Sequence, residues 1–252
     1  MKKLWMALTL GIACLQAAAD EPADARYRAQ VHTELGAEYF SGGQPGVALE
    51  ELGEALKADS GYAPAYNVLG LVYMELREYD QAEQNFRRAL GLEPANSEAH
   101  NNFGWFLCQR ERVDEAIPHF LAALKNPLYT TPEKPYFNAG VCSLKKGDEK
   151  GAEEFFLKAA RFQAVPPQAL WHLADINFRR ADHAAAKQYL ERFLRTSQPT
   201  AEALWLGVRV ERRLANRDAE ASYALQLRQR FPDSREAMAL RNSQYEDSGG
   251  RK

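Results

Sequence analysis

Residues 63–94 read APAYNVLGLVYMELREYDQAEQNFRRALGLEP, and the sizes of the side chains in this stretch decide the fold. Leu69, Gly70 and Tyr73 recur at helical spacing in the first half, and Ala82, Phe86 and Ala89 in the second. Asp80 lies near the break between the two runs, where a carboxylate can accept orphan amide hydrogens, and Glu83 three residues later completes a capping box. Pro94 then stops the second run. The stretch predicts two helices joined by a turn. Antiparallel helices approach to about 8–10 Å only where one side chain at the contact is nearly absent, which puts Gly70 and Ala82 at the crossing and Leu69 and Phe86 on its flanks.

The same beat runs through most of the chain. Six blocks begin near Ala29, Ala63, Ser97, Glu133, Pro167 and Thr200, spaced by 34, 34, 36, 34 and 33 residues. Their eighth positions hold Gly36, Gly70, Gly104, Gly140, Ala174 and Gly207; their twentieth hold Ala48, Ala82, Ala116, Ala152, Ala186 and Ala219. Leu52, Phe86, Phe120, Phe156, Leu190 and Tyr223 stand at position twenty-four, so each small residue has a large apolar neighbour to receive. This is the tetratricopeptide pattern. It predicts an all-α, right-handed superhelical solenoid of about six helix hairpins, residues 29–62, 63–96, 97–132, 133–166, 167–199 and 200–234, with a C-terminal helix ending by 242. The stretch 126–135 carries a two-residue insertion and three prolines, which predicts an extended loop after the third hairpin; residues 243–252 are expected to be disordered.

Composition removes several classes of function. The 252 residues carry 32 Lys+Arg against 34 Asp+Glu, a net charge of -2, so the chain lacks the positive potential of a nucleic-acid binder. The 46% hydrophobic content excludes a mostly disordered chain. His32, His100, His119, His172 and His183 show no metal-ligand spacing, and there is no nucleophile elbow, Walker loop or dinucleotide fingerprint. No enzyme, metal, cofactor or small-molecule substrate is expected. Arg209, Arg212, Arg213 and Arg217 read either as a patch for an acidic partner or as a solvated helix face.

The first residues differ from the rest. Lys2 and Lys3 precede the apolar run Leu4–Ala13, the size of a secretory core and too short to span a bilayer. Leu10-Gly11-Ile12-Ala13-Cys14 resembles a bacterial lipobox, which makes 1–13 the signal peptide, Cys14 the lipidated N-terminus and 14–28 a tether; Ala17-Ala18-Ala19 offers an alternative cleavage after 19 and a soluble periplasmic product. By resemblance to the sorting rules of such lipoproteins, Leu15 directs the protein to the outer membrane. Cys108 and Cys142, on first helices 34 residues apart, are placed to form a disulfide after export, the alternative being two buried thiols.

In a tetratricopeptide array, repeat positions two, five, nine and twelve of the first helices face the concave surface. Asn67, Leu71, Asn101, Trp105, Phe137, Trp171 and Phe178 occupy such positions and form the candidate protein-binding groove. Asn67 and Asn101, one repeat apart, can bond an extended backbone through donor and acceptor together, or can be spent on local bonds. The aromatic residues can anchor an apolar segment or pack between repeats.

The stretch Asn101-Asn102-Phe103-Gly104-Trp105-Phe106-Leu107, with Leu206-Gly207-Val208-Arg209 and residues 216–234 (NRDAEASYALQLRQRFPDS), resembles the type IV pilus biogenesis lipoproteins of the PilW/PilF kind over nearly the whole mature chain. The resemblance implies a non-enzymatic pilotin or pilus-stability factor, lipid-anchored through Cys14 on the periplasmic face of the outer membrane, whose partner is the pilus secretin or another pilus assembly protein. The reading that competes with it is a general periplasmic scaffold for another envelope or cell-wall assembly complex.

Overall fold

The computed structural model describes residues 10–245, with side chains from Asp24 onward. The expected signal segment and Cys14 therefore lie outside the described side chains, and residues 246–252 lie outside the described residues. Every regular element among the described residues is an α-helix, and none is long and apolar enough to cross a membrane.

The helices divide into two compact units, residues 1–130 and 131–252. The first unit holds three hairpins: α1 (Leu10–Ser41) with α2 (Pro45–Ala58), α3 (Ala63–Glu75) with α4 (Tyr79–Leu92), and α5 (Ser97–Gln109) with α6 (Val113–Ala123). The second holds α7 (Glu133–Lys145) with α8 (Glu149–Ala159), α9 (Pro167–Arg179) with α10 (His183–Thr196), and α11 (Ala201–Arg213) with α12 (Arg217–Arg230), followed by the short α13 (Arg235–Arg241). Pro45, Pro64 and Pro167 sit in the first turns of their helices, where no amide donor is missed and φ is already helical. Residues 24–28, expected to be tether, are already part of α1.

In five of the six hairpins the crossing is set by the glycine of the first helix, the fifth having Ala174 in its place. A methyl carbon built on Gly70 would stand 2.6 Å from the Phe86 ring, one on Gly140 2.5 Å from Phe156, and one on Gly104 2.9 Å from Phe120. Phe86, Phe120 and Phe156 are fully buried there, each contributing about 1.5–3 kcal/mol of apolar burial. The alanines of the second helices, Ala48, Ala82, Ala116, Ala152 and Ala186, are all at 0% exposure, whereas Ala219 of the last hairpin is half-buried. Leu35 departs from the pattern. Its counterparts Leu69, Phe103, Leu173 and Leu206 are buried, but Leu35 is 38% exposed, because among the described residues no earlier hairpin lies against the first one.

The turns inside the hairpins are of one kind. Gly43, Arg77, Glu111, Gly147, Ala181 and Ala215 all have φ between 57° and 82°. Just after each, an amide donates to a carbonyl five residues back at 2.9 Å: Gln44 to Tyr39, Glu78 to Tyr73, Arg112 to Leu107, Asp148 to Ser143, Asp182 to Asn177 and Asn216 to Glu211. This is a Schellman closure with a left-handed residue at its centre. Four of the six left-handed positions carry a side chain that pays a steric cost there. The expected cap at Asp80 is not formed. The residue before α4 is Glu78, with no side-chain cap, and Glu83 instead accepts from Arg87 and Arg112 at 2.6 and 2.7 Å. Asp148 and Asp182 do cap, accepting from the amides of Gly151 and Ala185.

These backbones predict a paired result. Ala181→Gly removes a left-handed β-carbon, while Gly53→Ala adds a methyl in mid-helix where nothing lies within 4 Å. Opposite substitutions should therefore both stabilise, each by up to about 1 kcal/mol, read as a higher urea midpoint at unchanged slope.

The end of the second unit is closed more fully than expected. Ala237 and Leu240 of α13 pack into a cluster with Leu204, Val208 and Leu227. Beyond α13, Ser243 takes φ 56° and the Gln244 amide donates to the Ala239 carbonyl at 2.9 Å. Tyr245 then stacks on Trp205, ring centroids 5.7 Å apart, with the Arg212 guanidinium 3.9 Å over it. Residues 243–245, expected to be disordered, are thus held by an aromatic and a cation.

A first-helix surface of amides and aromatic rings

In the first unit, α3 and α5 bring together three carboxamides. Asn102 Nδ2 donates to Asn67 Oδ1 at 3.2 Å, and Asn101 Nδ2 donates to Asn102 Oδ1 at 3.3 Å. Asn67 and Asn101 are 8% and 5% exposed, so most of each side chain is wall rather than open surface. The middle member, Asn102, was not among the residues singled out from periodicity; its place one residue after Asn101 was the available signal. Leu71 and Trp105, one turn further along their helices, are half-buried and retain accessible apolar surface. Beneath them, Phe103 stacks on Phe86 and Phe106 meets it at a tilt, both centroid distances being 5.7 Å, which fixes α5 against α4.

The second unit has its own cluster. Phe137 of α7 lies 6.0 Å from Phe156, and Trp171 of α9 meets His172 edge-on at 5.1 Å. His172 stacks on Phe156 at 4.8 Å, with planes 7° apart, and its burial pushes its pKa below the usual histidine value. Phe137 and Trp171 are half-buried and keep part of their rings at the surface. Phe178 does not: it is 8% exposed, packed with Leu190 and Val210 under the Arg209 guanidinium, which lies 4.4 Å over its ring. It supports the wall. Charge near this surface is internally matched, since Arg179 pairs with Asp175 at 3.0 Å and with Glu149, and Arg180 pairs with Glu149 and Glu153.

Other residues singled out from the sequence divide between core and surface. Cys108 and Cys142 are both at 0% exposure. Arg209 is buried, whereas Arg212 is half exposed and bonded to Glu220 at 3.0 Å, so the four arginines do not share one face. His32 meets Glu51 at 2.7 Å, and His100 meets His119 at 2.9 Å. Among the described residues, no group of three or more His, Cys, Asp or Glu is placed to hold a metal ion. The accessible chemistry of the surface is the half-buried Asn102 carboxamide beside partly open aromatic and aliphatic side chains, which suits a polypeptide segment.

A tetratricopeptide repeat family model matches residues 33–82 and 67–129. The type IV pilus assembly protein PilF of Pseudomonas aeruginosa is 31% identical over 205 residues, 81% of this chain and 81% of that protein. The solved structure of P. aeruginosa PilF superposes with a TM-score of 0.79 at 29% identity, covering 88% of this chain and 99% of that one. The crystal structure of PilW, a type IV pilus biogenesis factor, gives a TM-score of 0.71 at 32% identity, covering 84% and 97%. Identity of this extent, carried over most of both chains and on the same helical architecture, leads to one conclusion: the chain belongs to the PilF/PilW family of type IV pilus biogenesis tetratricopeptide proteins.

Proposed function

We propose that this protein is a non-enzymatic adaptor of type IV pilus biogenesis, whose first-helix surfaces hold a segment of the outer-membrane secretin or of another pilus assembly protein. The observation that carries the proposal is the surface itself: the Asn67–Asn102–Asn101 amide relay beside Leu71 and Trp105 in one unit, and the half-buried Phe137 and Trp171 in the other. Amides satisfy an extended backbone, and rigid aromatic rings give large contact for little lost entropy. Family membership with PilF and PilW supplies the setting.

Trp105→Ala combined with Trp171→Ala should reduce recovery of the secretin from membrane extracts at least tenfold, each ring removed costing about 1–2 kcal/mol of binding. Undiminished recovery with normal secretin multimers would remove the aromatic surfaces from the proposal. We further propose that Cys14 carries the lipid that holds the protein at the periplasmic face of the outer membrane; the mass of the mature N-terminus separates an acylated Cys14 from a free Asp20. Cys108 and Cys142, both fully buried, are proposed to pair after export. Two titratable thiols in the unfolded, unreduced protein would refute the bridge.

A further inference from the structure

His100 and His119 form a contact that tolerates one added proton but not two. His100 lies on α5 and His119 on α6, with their Nδ1 atoms 2.9 Å apart and ring centroids 5.1 Å apart. His100 Nε2 donates to the Pro94 carbonyl at 3.0 Å, in the connection between α4 and α5. With both rings neutral, that bond leaves His100 Nδ1 bare, so His119 Nδ1–H donates to it. One added proton can be accommodated by a tautomer change. Two turn both Nδ1 atoms into donors facing each other, and the contact is lost.

The surroundings oppose the second proton. His119 is partly buried and edge-on to Phe103, centroids 4.7 Å apart. The charged groups that act on it are His100 from α5, Arg87 from α4 and Glu115 from its own helix. Glu115 is the one group favouring the cation, and its carboxylate is already bonded to Arg112 through both oxygens, at 2.7 and 2.8 Å. Desolvation first, then His100 and Arg87, lower the His119 pKa to about 4.

The helix bearing His119 is poorly equipped to resist a broken contact. α6 has 11 residues, and Pro118, the residue just before His119, removes one amide donor from its interior. No side-chain cap closes its N-terminus.

We propose that the His100–His119 pair, together with Pro118, is an acid-responsive latch that releases α6 from α5 ahead of the rest of the first unit. The folded pKa of His119 lies below its unfolded value of 6.5, so the latch is fully closed above pH 6.5 and weakens as pH falls from 6.5 toward 4. If the amide surface of α5 binds a partner as proposed above, release of α6 also loosens the helix carrying Asn101, Asn102 and Trp105.

The test is amide hydrogen exchange on the mature protein from pH 7.5 to 4.5, corrected for intrinsic rates. The opening constant of residues 113–123 should rise up to about tenfold per pH unit below 6.5, while α3 and α4 hold their protection. In His119→Phe, which keeps the edge contact with Phe103, that pH response should disappear. His100→Gln keeps a donor for Pro94, removes the like charge, and should move the His119 ring titration upward by NMR. Loss of protection in α6, α3 and α4 together, or an unchanged response in both variants, overturns the latch. Partner recovery at pH 7.5 and 5 is a separate measurement. Recovery that is pH-independent while α6 opens would detach the latch from binding, and absent recovery at both pH values would count against the binding surface alone.

Discussion

Gly70→Ala should destabilise the protein by about 2 kcal/mol, although alanine is the better helix former by close to 1 kcal/mol. The added methyl would sit 2.6, 2.7 and 2.8 Å from three carbons of the Phe86 ring. That ring has no room to retreat, because it is fully buried and packed against both Phe103 and Phe106. The crossing of α3 and α4 must open or the ring must leave its rotamer, and both costs exceed the gain in propensity. Gly91→Ala is the control: it lies in the same hairpin, on α4, with nothing within 4 Å of the new methyl. A urea midpoint that falls for Gly70→Ala and holds or rises for Gly91→Ala is the expected result. Equal, favourable shifts would mean that the crossing is not set by the missing side chain.

Phe86→Ala should cost more, about 3–5 kcal/mol, since it deletes a fully buried ring that touches two others and leaves a cavity between three helices. The two substitutions address the same contact from opposite sides, so their effects should not add. Gly70→Ala placed in the Phe86→Ala background meets no ring and should be close to neutral, a coupling of about 2 kcal/mol in the double-mutant cycle. Additive losses would show that Gly70 and Phe86 act on separate parts of the structure.

What the sequence reveals here follows from what repetition encodes. Gly70 with Phe86, and Gly140 with Phe156, could be paired from spacing alone because a close helix crossing demands the same size relation each time. The left-handed turn residues were not legible for the converse reason. Arg77, Glu111, Ala181 and Ala215 share one backbone geometry, yet none is a residue type that favours it, so nothing in their side chains announces it. The hydrogen-bonded closure alone holds them there. The capping box at Asp80 and Glu83 failed because the helix begins at Tyr79, placing Asp80 inside the first turn, where its charge still suits the helix dipole.

The proposed binding surface is partly legible in the sequence. Position within the repeat found Trp105, Phe137 and Trp171 with rings partly open, and found Asn67 and Asn101 in a shared relay. It also pointed to Phe178, which packs under Arg209. That cover comes from a residue 31 positions later in the chain, so the local pattern around Phe178 carries no trace of it. Repeat position does not mark Asn102 for a related reason, since it lies one step off the inward positions and reaches the relay through the direction of its side chain.

The first and last described hairpins differ in what they would offer a further hairpin packed against them. After α13, the Ser243 turn repeats the geometry that elsewhere leads from a first helix into a second, and just beyond it Tyr245 is pinned on Trp205 as a stopper. At the other end, Leu35 occupies a seat that is filled in later modules and stands open here. A duplicated hairpin spliced in ahead of Ala29 would find an apolar berth ready, whereas one appended after Tyr245 would first have to evict the stopper.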